Sequence, residues 1–157
     1  MSPRKPRLLF SPQPEGPPPA EATVARRVRF EEVDPLGIVW HGRYPSYLED
    51  GRTAFGDRFQ LGYLDLHRNG CLAPLVQMQI DYFHSLEFDE EFTIHTRLHW
   101  SEAVRLNFEY RLTNKQGDLV ATASTVQVLM DFDRQLILVW PAFLEDFFER
   151  WRAGQLT

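Results

Sequence analysis

The sequence predicts an α+β domain, with an antiparallel sheet curled around one long helix and a second helix closing the chain. Two patterns carry that prediction. Tyr44, Tyr47, Leu48, Phe55 and Phe59 recur at the spacing of one helical face. From Leu72 onward strand-like segments follow one another, and Leu106, Phe108, Tyr110 and Leu112 alternate with Arg105, Asn107, Glu109 and Arg111. A helix lying on one face of an antiparallel sheet satisfies both patterns.

The elements follow in order. Residues 1–22 are rich in proline, with little to bury, and are expected to form a disordered tail before a single domain over 23–157. Thr23 to Val33 reads as the first strand, with Val24, Val28 and Phe30 on one face and Arg27, Arg29 and Glu31 on the other. The turn signal D-P-L-G precedes the long helix, which Gly62 ends. Gly51 falls on its apolar stripe, where it weakens the helix but lets another backbone come close.

Leu72–Phe83 and Phe92–Trp100 are the next strands. The alternating run from Arg105 and the run Val120–Met130 flank the turn N-K-Q-G-D, so they form a hairpin. A last short strand is expected at Leu136–Trp140. After Pro141, Phe143, Leu144, Phe147, Phe148 and Trp151 mark an amphipathic helix. The four later strands are expected in meander-like succession. Exposed sheet edges favour self-association.

A chain of 157 residues, 43% hydrophobic and 13% aromatic, has enough apolar side chains for one core. Its formal charge of -5 argues against nucleic acid as a partner. Cys71 is the single cysteine, so no intramolecular disulfide or thiolate zinc cluster is available, and a reducing compartment fits. The N-terminal basic residues are followed only by Leu8, Leu9 and Phe10, too short for a secretion signal. No run reaches the ~18 apolar residues of a membrane span. The expectation is a cytoplasmic protein.

His95 and His99 would suit a metal pair on a helix, but four residues along a strand separate them by ~13 Å. No metal is expected. Cys71 has no basic surroundings to activate it, and neither a G-x-S-x-G elbow nor a phosphate-binding glycine loop is present.

The chemistry concentrates in D-P-L-G-I-V-W-H-G-R-Y-P-S-Y-L-E-D-G-R, Asp34 to Arg52. Asp34 supplies a carboxylate in a tight turn and Gly37 supplies backbone freedom. The amides around Trp40 and His41 begin a helix, where unpaired N–H groups favour an anion. A carboxylate beside an oxyanion site can attack a carbonyl or activate water.

The stretch resembles the 4-hydroxybenzoyl-CoA thioesterase family of hot-dog proteins, which includes acyl-CoA thioesterases associated with the Tol-Pal system. The family pattern D-x-x-G-[IV]-V-[YWF]-[HY]-x-x-Y followed by E-x-x-R is met by Asp34, Gly37, Ile38, Val39, Trp40, His41, Tyr44, Glu49 and Arg52. Pro74, Val76, Tyr82 and Asp89 also stand where the family has them, while Gly51 replaces its usual alanine and the proline-rich tail is extra.

The resemblance implies a hot-dog fold, active sites between protomers of a homodimer or homotetramer, and no cofactor. It implies hydrolysis of acyl-CoA or acyl-carrier-protein thioesters, with Asp34 as nucleophile or general base and the His41 amide on the carbonyl oxygen. Gly37, Val39, Trp40, Tyr44 and Tyr47 are the expected substrate-side residues. Glu49 and Arg52 are secondary candidates, expected to pair with each other at i,i+3. A thiolate leaves without strong acid assistance because a thiol's pKa of ~8.5 lies near working pH. The alternative from another class is a non-catalytic hot-dog module that binds an acyl group or scaffolds an assembly.

Overall fold

The computed structural model describes residues 4–7, 9–11 and 13–156. The expected tail is therefore covered only in part, since positions 1–3, 8 and 12 lie outside the described residues. Strands β1 (Ala20–Arg27), β2 (Leu75–Tyr82), β3 (Glu91–His99), β4 (Arg105–Asn114) and β5 (Leu119–Val128) form one antiparallel sheet in the order β1-β3-β4-β5-β2. Helix α1 (Tyr44–Phe59) lies on one face, α2 (Tyr63–Arg68) follows it, and α3 (Ala142–Arg152) closes the chain.

The alternation in β4 sets which face is which. Phe108 meets Phe55 of α1 edge to face, with ring centroids 5.2 Å apart, and Tyr47 packs on Phe92 at 4.7 Å. Complete burial of a side chain such as Phe55 stabilises the fold by about 1.5–3 kcal/mol. Gly51 is required by close approach, because an added Cβ would lie 2.9 Å from Ile94 Cγ2 and closer still to Thr96 Oγ1. At the far end of α1, Phe147 reaches Phe59, and Trp151 packs on Trp100 with centroids 5.1 Å apart.

Several sequence expectations are corrected. The first strand begins at Ala20 and ends at Arg27, not at Thr23 and Val33. Beyond it Val28 donates its N–H to the Glu90 carbonyl, and the chain then winds into a 3-10 turn at Phe30–Glu32. Phe30 consequently leaves the buried face and pairs on the surface with Phe88. The strands are not a simple meander, because β2 sits beyond β5 at an edge and only β3, β4 and β5 run consecutively. No strand forms at Leu136–Trp140. Asp131 Oδ1 takes the N–H groups of Asp133 and Gln135, turning the chain so that Leu136 makes one bridge to Met130 before leaving the sheet. Helix α2 was absent from the sequence reading because its six residues are too few for a periodic signal.

The sheet face away from α1 carries Asp81, Asn107, Thr122 and Ser124, all buried. The N-terminal segment runs across it. Arg4 and Arg7 both reach Asp81 Oδ1, at 2.8 and 2.9 Å, and the Phe10 ring lies 5.2 Å from that of His99. Trp151 Nε1 donates to the Pro18 carbonyl at 2.8 Å, which ties this strap to α3.

Candidate active site

The segment between the first 3-10 turn and α1 is a small hairpin. Trp40 N–H donates to the Glu32 carbonyl at 2.9 Å, Val33 bridges Val39, and Asp34 N–H donates to the Ile38 carbonyl at 2.8 Å. Its tip is closed by Gly37 N–H on the Asp34 carbonyl at 2.9 Å, with Gly37 at φ +78°, a conformation that strains any residue with a Cβ. Asp34 Oδ1 accepts the Leu36 N–H at 2.8 Å. One carboxylate oxygen therefore anchors the turn while the other, Oδ2, is left without a hydrogen-bond partner among the described residues.

Val39 is buried, and its N–H donates to the Leu86 carbonyl at 2.8 Å. Together with the Ile38–Glu87 bridge, this stitches the hairpin to the segment ahead of β3. Trp40 then leads into a 3-10 turn, His41–Arg43, which feeds directly into α1. Pro45 is accommodated in the first turn of α1, where a missing N–H breaks no helical bond.

The expected pair of oxyanion amides is corrected at one position. The Trp40 N–H is spent on the Glu32 carbonyl and is not available to a ligand. Among the described residues the His41 and Gly42 N–H groups meet no acceptor, as befits the start of a helical segment. The Gly42 amide was not singled out from the sequence, since nothing in residue type distinguishes an unpaired main-chain donor. The half-exposed Trp40 indole lies against Gly42 and 5.1 Å from the His41 ring.

Tyr44 and Tyr47, expected on the substrate side, are buried within the chain at 3% and 1% exposure. Their rings meet edge to face at 5.6 Å, and Tyr44 meets Tyr82 of β2 at 4.9 Å. Tyr82 Oη donates to the His41 carbonyl at 2.9 Å. Tyr47 Oη donates to Glu32 Oε2, and Glu32 Oε1 accepts the Arg29 N–H at 3.1 Å. Burial, reinforced by the Glu32 carboxylate, drives the Tyr47 phenol far above its ordinary value, so it stays a donor. Burial, then the neighbouring Tyr82, pushes Tyr44 up to about 12.

Glu49 and Arg52 do not form the expected ion pair: among the described residues each lacks a charged partner within salt-bridge distance. They line instead a cleft of about 640 Å³ between α1, α2 and the inner sheet face, with Tyr63, Leu64, Phe108 and Gln127. That volume falls within the usual range for a small-molecule site. The two histidines of β3 have partners in the sheet, His95 Nε2 at 3.1 Å from Thr113 Oγ1 and His99 Nε2 at 2.8 Å from Glu109 Oε2.

Comparison with known proteins agrees with this architecture. Residues 28–148 match the family model described as Thioesterase-like superfamily. The Bacillus subtilis (strain 168) protein named "Putative acyl-CoA thioesterase YneP" is 31% identical over 104 residues, covering 66% of this chain and 75% of its own. The acyl-CoA thioester hydrolase YbgC of Escherichia coli O6:H1 is 24% identical over 105 residues, covering 67% of this chain and 78% of its own. In structure, a DHNA-CoA thioesterase from Staphylococcus aureus superposes with a TM-score of 0.72 at 22% identity, covering 85% of this chain and 87% of that one. The sheet with its long helix, the hairpin that delivers a carboxylate to a helix start, and the family match across most of the chain agree: this protein has the hot-dog fold and belongs to the Thioesterase-like superfamily of thioester hydrolases.

Proposed function

We propose that the protein hydrolyses acyl-CoA thioesters, with Asp34 as the catalytic carboxylate and the His41 amide, joined by that of Gly42, as the oxyanion site. The observation that carries this reading is the hairpin, which holds Asp34 by one oxygen and ends on unpaired amides at the start of α1. In the reaction Asp34 Oδ2 either attacks the thioester carbon or takes a proton from the attacking water. The carbonyl oxygen gains negative charge against the amides, the C–S bond breaks, and the thiolate takes up a proton; where Asp34 itself attacks, water then hydrolyses the acyl–Asp34 anhydride, releasing the acid and restoring the carboxylate. The relatives named for acyl-CoA substrates support this choice of thioester. An acyl-carrier-protein thioester offers the same reacting atoms.

A homodimer is the assembly that fits best. Strand β2 is an edge of the sheet and exposes Leu75, Val76, Met78 and Tyr82, so pairing with a second copy would satisfy its free backbone groups and cover apolar surface. Tyr82 links that edge to the His41 turn. The test of function is CoA release from aromatic, short-chain and long-chain acyl-CoA, with an acyl-carrier-protein thioester alongside. Turnover of one class is the expected result. No release from any of them, by a folded protein that binds acyl-CoA, would favour the non-catalytic module.

A further inference from the structure

Glu32 stands two residues before Asp34 and was not singled out by its sequence context. Only Glu32 and Asp81 among the described acidic residues are buried. Every polar group of Glu32 is engaged around the proposed site. Its N–H donates to the Arg29 carbonyl at 3.0 Å, its carbonyl accepts the Trp40 N–H at 2.9 Å, Oε1 accepts the Arg29 N–H at 3.1 Å, and Oε2 accepts the Tyr47 hydroxyl. One residue thus joins the end of the first strand, the far arm of the hairpin and the second turn of α1.

We infer that Glu32 and Tyr47 together are positioning residues, fixing the hairpin that carries Asp34 against the helix start that presents the His41 and Gly42 amides. The inference rests on the hydrolysis reading above. A carboxylate and an oxyanion site on separate elements work together only if their spacing is held, because displacement of about 1 Å is enough to cost ~10²-fold in rate. The hairpin's own main-chain bonds set its internal shape, and those of Val39 and Ile38 tie it to the segment ahead of β3, but none of them reaches α1. Two side chains tie the hairpin to the helix: Arg43, just before α1, donates to the Glu31 carbonyl at 3.0 Å on the exposed side, and in the interior the Tyr47 phenol donates to the buried Glu32 carboxylate. On the other side of the same turn, Tyr82 holds the His41 carbonyl. Tyr44 packs between the two tyrosines, so the turn is gripped from both flanks.

Neither Glu32 nor Tyr47 touches the reacting atoms, since both are buried, so their loss should lower kcat and leave KM nearly unchanged. Tyr47→Phe is the informative variant because it keeps the ring packing on Phe92 and Tyr44 and removes only the donor. The expected result is a roughly 10- to 100-fold fall in kcat with KM within about twofold. Hydrogen exchange at the Trp40 amide should accelerate while the β4 and β5 amides are unaffected. Glu32→Leu removes both acceptor oxygens and should reduce kcat at least as much, and adding Tyr47→Phe to it should cost nothing further, because the Glu32–Tyr47 link is already broken.

Unchanged exchange at Trp40 in folded Tyr47→Phe would overturn the inference whether or not the enzyme turns over. Unchanged kcat in an active background would overturn it as well. Failure of the hydrolysis reading appears separately, as a wild-type protein that releases no thiol from any tested thioester.

Discussion

Replacing Asp34 in two ways separates its chemistry from its role in the turn. Asparagine retains an oxygen for the Leu36 N–H that Oδ1 accepts at 2.8 Å, and it leaves the main-chain bonds to Ile38 and Gly37 untouched. Asp34→Asn should therefore change stability by less than about 0.5 kcal/mol, as most surface substitutions do. For a chain of this length that is about 2 °C or less in Tm. Alanine also removes the hydrogen bond, which is worth about 0.5–1.5 kcal/mol, or a Tm lower by roughly 1–6 °C. Catalysis should fall in both by about 10²–10⁴-fold, because neither side chain can attack a carbonyl or take a proton from water. The assays are calorimetry and thiol release measured with a thiol-reactive dye on the best acyl-CoA. Activity equal in the two variants while their Tm values differ is the expected pattern. An asparagine variant that keeps a third or more of wild-type kcat, or activity that merely follows Tm, would refute the assignment.

Two further outcomes are expected. His41→Ala, which removes an exposed ring and keeps the amide, should retain kcat within about threefold; His41→Pro deletes the N–H at a position where proline suits a helix start and should lose about 10²–10³-fold. Thiol release by the two variants, both checked for folding, decides this, and an active His41→Pro would sink the amide's role. For the strap, the hydrogen bond from Arg7, aided by the charges of Arg7 and Arg4, holds Asp81 below the ordinary carboxylate range. A lowered folded-state pKa means that this contribution is present above pH ~4 and disappears as pH falls through the lowered value. Tryptophan emission, reporting on Trp100 and Trp151 beside the strap, should shift to the red below pH ~4, whereas Asp81→Asn should show that shift already at pH 7. An unshifted Asp81→Asn spectrum would remove Asp81 as the anchor.

What could be read from the sequence follows from where local pattern governs structure. The α1 stripe and the β4 alternation were legible because one face of each is buried along its whole length. The Asp34–Arg52 motif was legible because turn, helix start and carboxylate are contiguous in the chain. Sequence reading failed where a distant partner decides. Trp40 looked like a free amide until the Glu32 carbonyl, eight residues back, proved to occupy it. Tyr47, expected as core or pocket lining, is core, but its bond to Glu32 was not legible because the acceptor lies on another element, and Glu49 and Arg52 share a helix face without meeting. Leu136–Trp140 has strand composition, yet the Asp131 turn carries it off the sheet and leaves Leu138 and Val139 exposed.

The corner between α1 and α2 governs how the cleft beside them can change. A Cβ on Gly56 would lie 2.6 Å from Gly62 Cα and 2.9 Å from its nitrogen, so the obstacle is main chain and no rotamer change relieves it. A side chain there must shift α2 as a body, carrying Tyr63 and Leu64 with it and resizing the whole cleft in one step. Tyr63 and Leu64 themselves are exposed, and replacing either disturbs little else. Two modes of variation are thus open to this scaffold: coarse resizing through the glycine corner, at a cost to packing, and fine adjustment through the rim residues. Selection for a new substrate should take the second route first.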